Sequence, residues 1–238
     1  MPIKSDSEQS SNPYLRLLVL GPPKLGKTTT CITTSPPPVY VINSDDAEAL
    51  RPAITLSPQP FTYDHAYGDD LQVMQRCLKE ADRGARSGDY KTIVWDTITL
   101  FASRLLDVCK TATASKSGET DGRKAYPAYN ENLRRILDKL LNTPAHVIVT
   151  SHYIETGPGV DGKSSTGDGI APLLSGQSKQ LVPARFQDVV FLTWEKGERV
   201  FLTQSKGAFG PGCRSLPGVE RVPADVCKLI ETITNRGK

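Results

Sequence analysis

The chain has 238 residues, 38% of them hydrophobic and 23% charged, with a formal charge of +3. A globular chain of that size buries a core without disulfides or a structural metal, and so small a net charge does not by itself announce a nucleic-acid partner. The five cysteines (Cys31, Cys77, Cys109, Cys213, Cys227) form no C-x-x-C pair, which argues against a disulfide framework or a zinc site and fits a reducing, cytoplasmic compartment. The polar start, MPIKSDSEQSSNP, is not a signal peptide, and no apolar run reaches the length of a membrane span.

In chain order, residues 1–12 read as a disordered leader and residues 13–238 as one domain. Tyr14 to Leu20 is a nearly continuous apolar run, as a strand covered on both faces would be. A short helix follows from Lys27, and Pro36–Pro38 forbids its continuation. Val39 to Asn43 is the second strand. Leu71, Met74, Leu78, Ala81 and Ala85 recur at helical spacing, with Asp69 or Asp70 placed to cap them. Thr92 to Trp95 reads as a buried strand, Ile98 to Cys109 as a helix, Leu133 to Leu141 as another, and Ala145 to Thr150 as the next strand. Strands near Asp188–Thr193 and Arg199–Thr203 meet at the tight turn 195–198, which predicts a hairpin at the sheet edge; a helix over about Ala224–Thr234 ends the chain. Strands alternating with helices predict an α/β fold with a mostly parallel sheet. Two segments, Lys110–Tyr126 and Glu155–Val182, lack either periodicity; loops longer than roughly 12–15 residues in a compact domain are usually functional or disordered.

The stretch Gly21 to Thr28, GPPKLGKT, matches G-x-x-x-x-G-K-S/T between a predicted strand and a predicted helix. In that context Gly21 and Gly26 let the backbone turn closely, and the amides from Lys24, Leu25 and Gly26 to Thr29 point at phosphate oxygens. Lys27 is expected to reach the β- and γ-phosphates of ATP, and the Thr28 hydroxyl to ligate Mg2+. Asp96 ends the apolar strand KTIVWD, where a carboxylate serves the same magnesium. Asp45 and Asp46, beyond the second strand, are candidates to activate water, with Glu48 less well placed; both aspartates equally fit as caps of the turn that follows. Ser151 and His152 end a further strand at the same edge, which makes His152 a candidate γ-phosphate sensor, while His65 and His146 read as packing or surface residues.

This order of parts resembles the RecA-like recombinase core, and more closely the phage single-strand annealing proteins built on it. The resemblance implies a RecA-like P-loop NTPase fold over about residues 14–235, with catalytic acid Asp45 in Ile42-Asn43-Ser44-Asp45, where the family has I-D-A-E. It implies that Lys110–Tyr126 and Glu155–Val182 are DNA loops, that Lys206 reaches a neighbouring subunit's ATP, and that the chain forms rings or filaments. Single-stranded DNA, and a single-strand-binding protein in recombination, are the implied partners.

The residues themselves carry the DNA reading only partly. Lys110, Lys116, Arg123 and Lys124, with Tyr126 and Tyr129 beyond, suit a single strand, where phosphates attract and bases stack. Lys163 and Lys179 in the second segment are offset by Glu155, Asp161 and Asp168. A small-molecule or nucleotide kinase, and a nucleotide-gated interaction module with little hydrolysis, remain open alternatives.

Overall fold

A computed structural model describes residues 13–114, 121–156, 169–204 and 210–236. The chain begins with β1 (Arg16–Leu20), α1 (Lys27–Thr33) and β2 (Val39–Asn43), then a 3-10 turn, α2 (Arg51–Leu56), β3 (Thr62–His65) and α3 (Leu71–Ser87). The middle runs through β4 (Thr92–Asp96), α4 (Ile98–Ala112), α5 (Gly122–Leu141) and β5 (His146–Ser151). Then come β6 (Tyr153–Thr156), β7 (Gly169–Pro172), α6 (Ser178–Leu181) and β8 (Asp188–Glu195). The last elements are β9 (Glu198–Leu202), β10 (Gly212–Cys213), β11 (Arg221–Pro223) and α7 (Val226–Arg236).

The strands β8-β1-β5-β4-β2-β3 form the parallel centre of a nine-stranded sheet, continued by antiparallel β9 and β11, with β10 beside β8. Both faces are covered, which explains the unbroken apolar reading of β1. Leu18 and Leu20 enter the core under α3, α4 and α5; Leu17 and Val19 enter the one under α1, α2 and α7. In α3 the Asp70 carboxylate accepts from the Gln72 and Val73 amides, and Gly88 at φ 83° ends the helix. Between them Met74, Cys77, Leu78 and Ala81 are buried in one stripe; a buried Met or Leu contributes about 1.5–3 kcal/mol. The expected hairpin is present: β8 and β9 join through Lys196 and Gly197, both left-handed at φ 52° and 85°, and β11 extends it by one strand.

The two segments expected to be irregular are shorter than predicted. Lys110 lies in the last turn of α4, while Arg123 and Lys124 open α5, capped by the Asp121 carboxylate accepting from the Arg123 amide at 3.0 Å. Burial of Ala125 and Tyr129 holds these first turns despite Pro127, which removes one amide. The second segment is bounded by the β6–β7 ribbon and ends in α6, which carries Lys179.

At the amino edge of the sheet Arg16 is buried, and its guanidinium donates to the carbonyls of Leu15 (3.1 Å), Leu141 (2.7 Å), Thr143 (2.7 Å) and Ala145 (2.5 Å). The last three of those bonds fasten the α5–β5 connection to β1. Burial holds the Arg16 pKa down to about 10. His146 completes this edge as expected of a packing residue: its Nδ1 accepts from the Leu15 amide at 3.0 Å.

Candidate nucleotide-binding site

Register alone assembles the opposite edge. Leu20 pairs with Ser151 on one side and Phe191 on the other, and Asn43 pairs with Asp96. The Gly21–Thr28 loop, Asp96, Ser151-His152 and the turn at Asp45 therefore converge at the carboxyl ends of the strands, the position of ligand crevices in open α/β sheets.

Gly26 is left-handed (φ 89°), so any side chain there is strained. Lys27 is buried, and its Nζ donates to the Gly21 carbonyl at 2.9 Å and the Pro22 carbonyl at 2.8 Å. Pro22 thus supplies an acceptor from a residue that has no amide to offer. Burial lowers the Lys27 pKa, an effect opposed chiefly by Asp96. Lys24 is exposed at φ 62°, Leu25 and Thr29 are half-buried, and Gly21 lies against the Leu192 carbonyl of β8.

Asp96 is 2% exposed, and both its oxygens are engaged. The Thr28 hydroxyl donates to Oδ2 at 2.7 Å and the Thr150 hydroxyl donates to Oδ1. Burial raises its pKa against the pull of those two donors. A hydroxyl and a carboxylate side by side are the oxygen donors magnesium takes, so Thr28 and Asp96 fit that ion; the loop with Lys27 fits the phosphates.

The two aspartates after β2 separate. Asp45 is half-buried and acts electrostatically on Lys27, Asp96 and His152. Asp46 is exposed and makes no side-chain cap to the turn that follows, although the Asp45 carboxylate accepts from the Asp46 amide at 2.8 Å. Glu48 pairs with Arg51 on the surface. His152 follows β5, its Nδ1 buried and without a partner among the described residues. Burial and then Lys27 hold its pKa below the usual histidine value. Its amide donates to Thr99 Oγ1 at 3.0 Å, and its carbonyl accepts from the Leu173 amide at 2.8 Å. One residue thereby ties the crevice both to the first turn of α4 and to the end of the β6–β7 ribbon.

Of the residues expected to meet DNA, Lys110 pairs with Asp107 and Lys124 with Asp121, both in exposed pairs worth little. Arg123 and Lys179 stand on different helices, and Lys116, Lys163 and Lys206 lie outside the described residues. The ends of the two segments do meet. Gly176 lies against the Tyr126 ring, and the Ser178 hydroxyl donates to Asn130 Oδ1 at 2.7 Å beside a groove of about 610 Å³.

Three residues, Asn43, His65 and Arg199, stand at the site although no role there was read for them from the sequence. Asn43 is fully buried; its amide group donates to the Asp45 and Asp46 carbonyls and meets His65 Nδ1 at 3.1 Å. His65 therefore braces the Asp45 turn rather than merely filling surface. A polar residue closing the run Val39–Asn43 was the only signal for Asn43. Arg199 has its guanidinium at Gly26, where an added Cβ would come within 2.9 Å of it.

Fold and site together define a P-loop ATPase of the RecA-like α/β type. The chain belongs to the AAA domain family (AAA_24), whose profile matches residues 14–214. Among solved structures it is similar to an ATPase from the type III secretion system of pathogenic bacteria (15% identity, TM-score 0.50, 75% of this chain and 52% of that one). It is also similar to the assembled ATPase EscN from the type III secretion system of enteropathogenic E. coli (13% identity, TM-score 0.53, 76% of this chain and 43% of that one). The match to EscN assembled with its central stalk EscO has 12% identity and a TM-score of 0.50, over 76% of this chain and 42% of that one. These likenesses concern the fold, and the chain spans about half the length of those proteins or less. No curated protein matches the chain. Among the described residues no helix is long and apolar enough to cross a membrane.

Proposed function

We propose that the protein is a Mg2+-dependent ATPase that binds and anneals single-stranded DNA, acting as a ring or filament in phage homologous recombination in the host cytoplasm. The observation that carries the ATPase part is the contact of Thr28 with Asp96 at 2.7 Å beside the buried ammonium of Lys27. Mg2+ held there would neutralise phosphate charge. Lys27 would exchange its two carbonyls for phosphate oxygens, and Asp45 would orient the attacking water. His152, whose buried Nδ1 has no partner among the described residues, would detect the terminal phosphate.

The DNA part rests on the resemblance and on one route through the fold. His152 is bonded to both α4 and Leu173, and the segments that follow α4 and β6 approach one another again at Tyr126 and Gly176. A nucleotide-dependent shift at His152 would therefore reach both. Assembly is supported by analogy with the assembled type III secretion ATPase, and Lys206 would serve a neighbouring subunit. A second reading, a nucleotide-gated module with little hydrolysis, is favoured by the short Asp45 side chain turned back on the Asp46 amide.

The test is ATP turnover with and without single-stranded DNA at two salt concentrations. DNA-stimulated turnover with salt-sensitive binding is expected. Turnover indifferent to DNA, without salt-sensitive binding, would remove the DNA part; tight ATP binding with near-zero turnover would favour the gated module.

A further inference from the structure

The β8–β9 hairpin carries two side chains for which neither the core nor the phosphate contacts above have a use. The Arg199 guanidinium lies at the phosphate loop: a Cβ on Gly26 would stand 2.9 Å from its Cζ and 3.0 and 3.1 Å from its terminal nitrogens. The same group sits 5.3 Å from the ring centroid of Trp194, its cross-strand partner. Among the described residues no carboxylate pairs with Arg199, whereas Glu195 of the same hairpin pairs with Arg221 at 2.7 Å. Trp194 is 52% exposed; the other tryptophan, Trp95, is fully buried. A half-exposed indole and a guanidinium with no carboxylate partner among the described residues thus stand together beside an anion-cradling loop.

Sheet order decides which end of a bound nucleotide this pair would meet. β4, with Asp96, lies on one side of β1 beyond β5; β8 and β9 lie on the other. A triphosphate whose terminal phosphate faces Thr28 and Asp96 therefore turns its nucleoside end toward the hairpin. Trp194 extends past the end of β1, since Phe191 is already level with Leu20.

We propose that Trp194 and Arg199 form the nucleoside-side wall of the pocket. Trp194 gives the base a flat face, and Arg199 meets the phosphate nearest the ribose across Gly26. The proposal rests on the nucleotide reading above. Stacking on an aromatic face is tolerant of base identity, so the wall favours nucleoside triphosphates over bare polyphosphate without reading the edge of the base.

Calorimetry on the full chain with Mg-ATP, Mg-GTP and Mg-tripolyphosphate tests this. Trp194→Ala is expected to weaken ATP and GTP about tenfold through lost stacking while leaving tripolyphosphate unchanged. Arg199→Ala is expected to weaken all three by about tenfold, having lost a charge-assisted contact. Mg-ATP is also expected to change tryptophan fluorescence in the wild-type chain but not in Trp194→Phe, which keeps the stack. Wild-type ATP affinity in Trp194→Ala, or an undiminished fluorescence change in Trp194→Phe, would overturn the wall. Failure of the wild-type chain to bind either ATP or tripolyphosphate is a different result, and it would remove the phosphate site itself.

Discussion

Arg16 and Lys27 are buried cations at opposite ends of β1, and among the described residues each donates to backbone carbonyls alone. Arg16 has four such acceptors, and three of them, on Leu141, Thr143 and Ala145, join its strand to a helix–strand connection far removed in sequence. Lys27 has two, both within its own loop, and it interacts electrostatically with Asp96, Asp45 and His152. The first arrangement is closed: removing the cation orphans acceptors that hold the fold. The second is open, because both acceptors belong to the loop itself and phosphate oxygens could take their place at the ammonium. A buried charge therefore does not reveal its role by burial; the reach of its partners does.

The sharpest way to break this comparison is to remove each cation in turn. Arg16→Met should cost on the order of 4 kcal/mol, since several buried carbonyls lose donors together, and should leave nucleotide affinity per folded molecule unchanged. Denaturant unfolding and calorimetry check the two halves. Lys27→Ala should do the reverse, lowering turnover by about 10²–10³ or abolishing it, as loss of a preorganised donor does, with the unfolding midpoint nearly unmoved. Equal stability losses in the two variants would erase the distinction.

Asp96→Asn should lower magnesium-dependent turnover by about tenfold or more while nucleotide affinity changes less, because the amide keeps the shape but loses the charge that attracts the cation. A rate unchanged across magnesium concentrations would mean the carboxylate does not serve the metal.

The smallest expected effect compares the histidines of the two edges. Burial lowers the pKa of both His146 and His152, so in the window from the usual value of 6.5 down to the folded values the unfolded chain binds more protons. Stability should therefore rise with pH through that window and fall as pH is taken from 7 towards 5. Protonating His146 also ends its acceptor role toward the Leu15 amide, so His146→Gln should flatten the pH dependence of the unfolding midpoint more than His152→Gln. A steeper slope in either variant would reverse the assignment.

The parallel core was legible because each central strand is a short apolar run covered on both faces, and the phosphate loop because its residues must be consecutive. What escaped was held by contacts distant in sequence or lacked a period. β3, Thr62–His65, is an edge strand with three exposed positions of four and shows no alternation. The start of α5 read as loop because its residues are polar and contain a proline; Tyr129 and the Asp121 cap are what fold it. Asn43 and His65 find each other only through the parallel register of β2 with β3. Arg199 reaches Gly26 only because β9 folds back beside β8, next to β1, a neighbourhood that no local spacing announces.

The bond from the Leu173 amide to the His152 carbonyl, with the four residue pairs of the β6–β7 ribbon above it, closes the chain's excursion at its base. β5 and β8 themselves are placed by pairing with β1 on either side of it. The ribbon is therefore hung from the sheet and is not one of its supports.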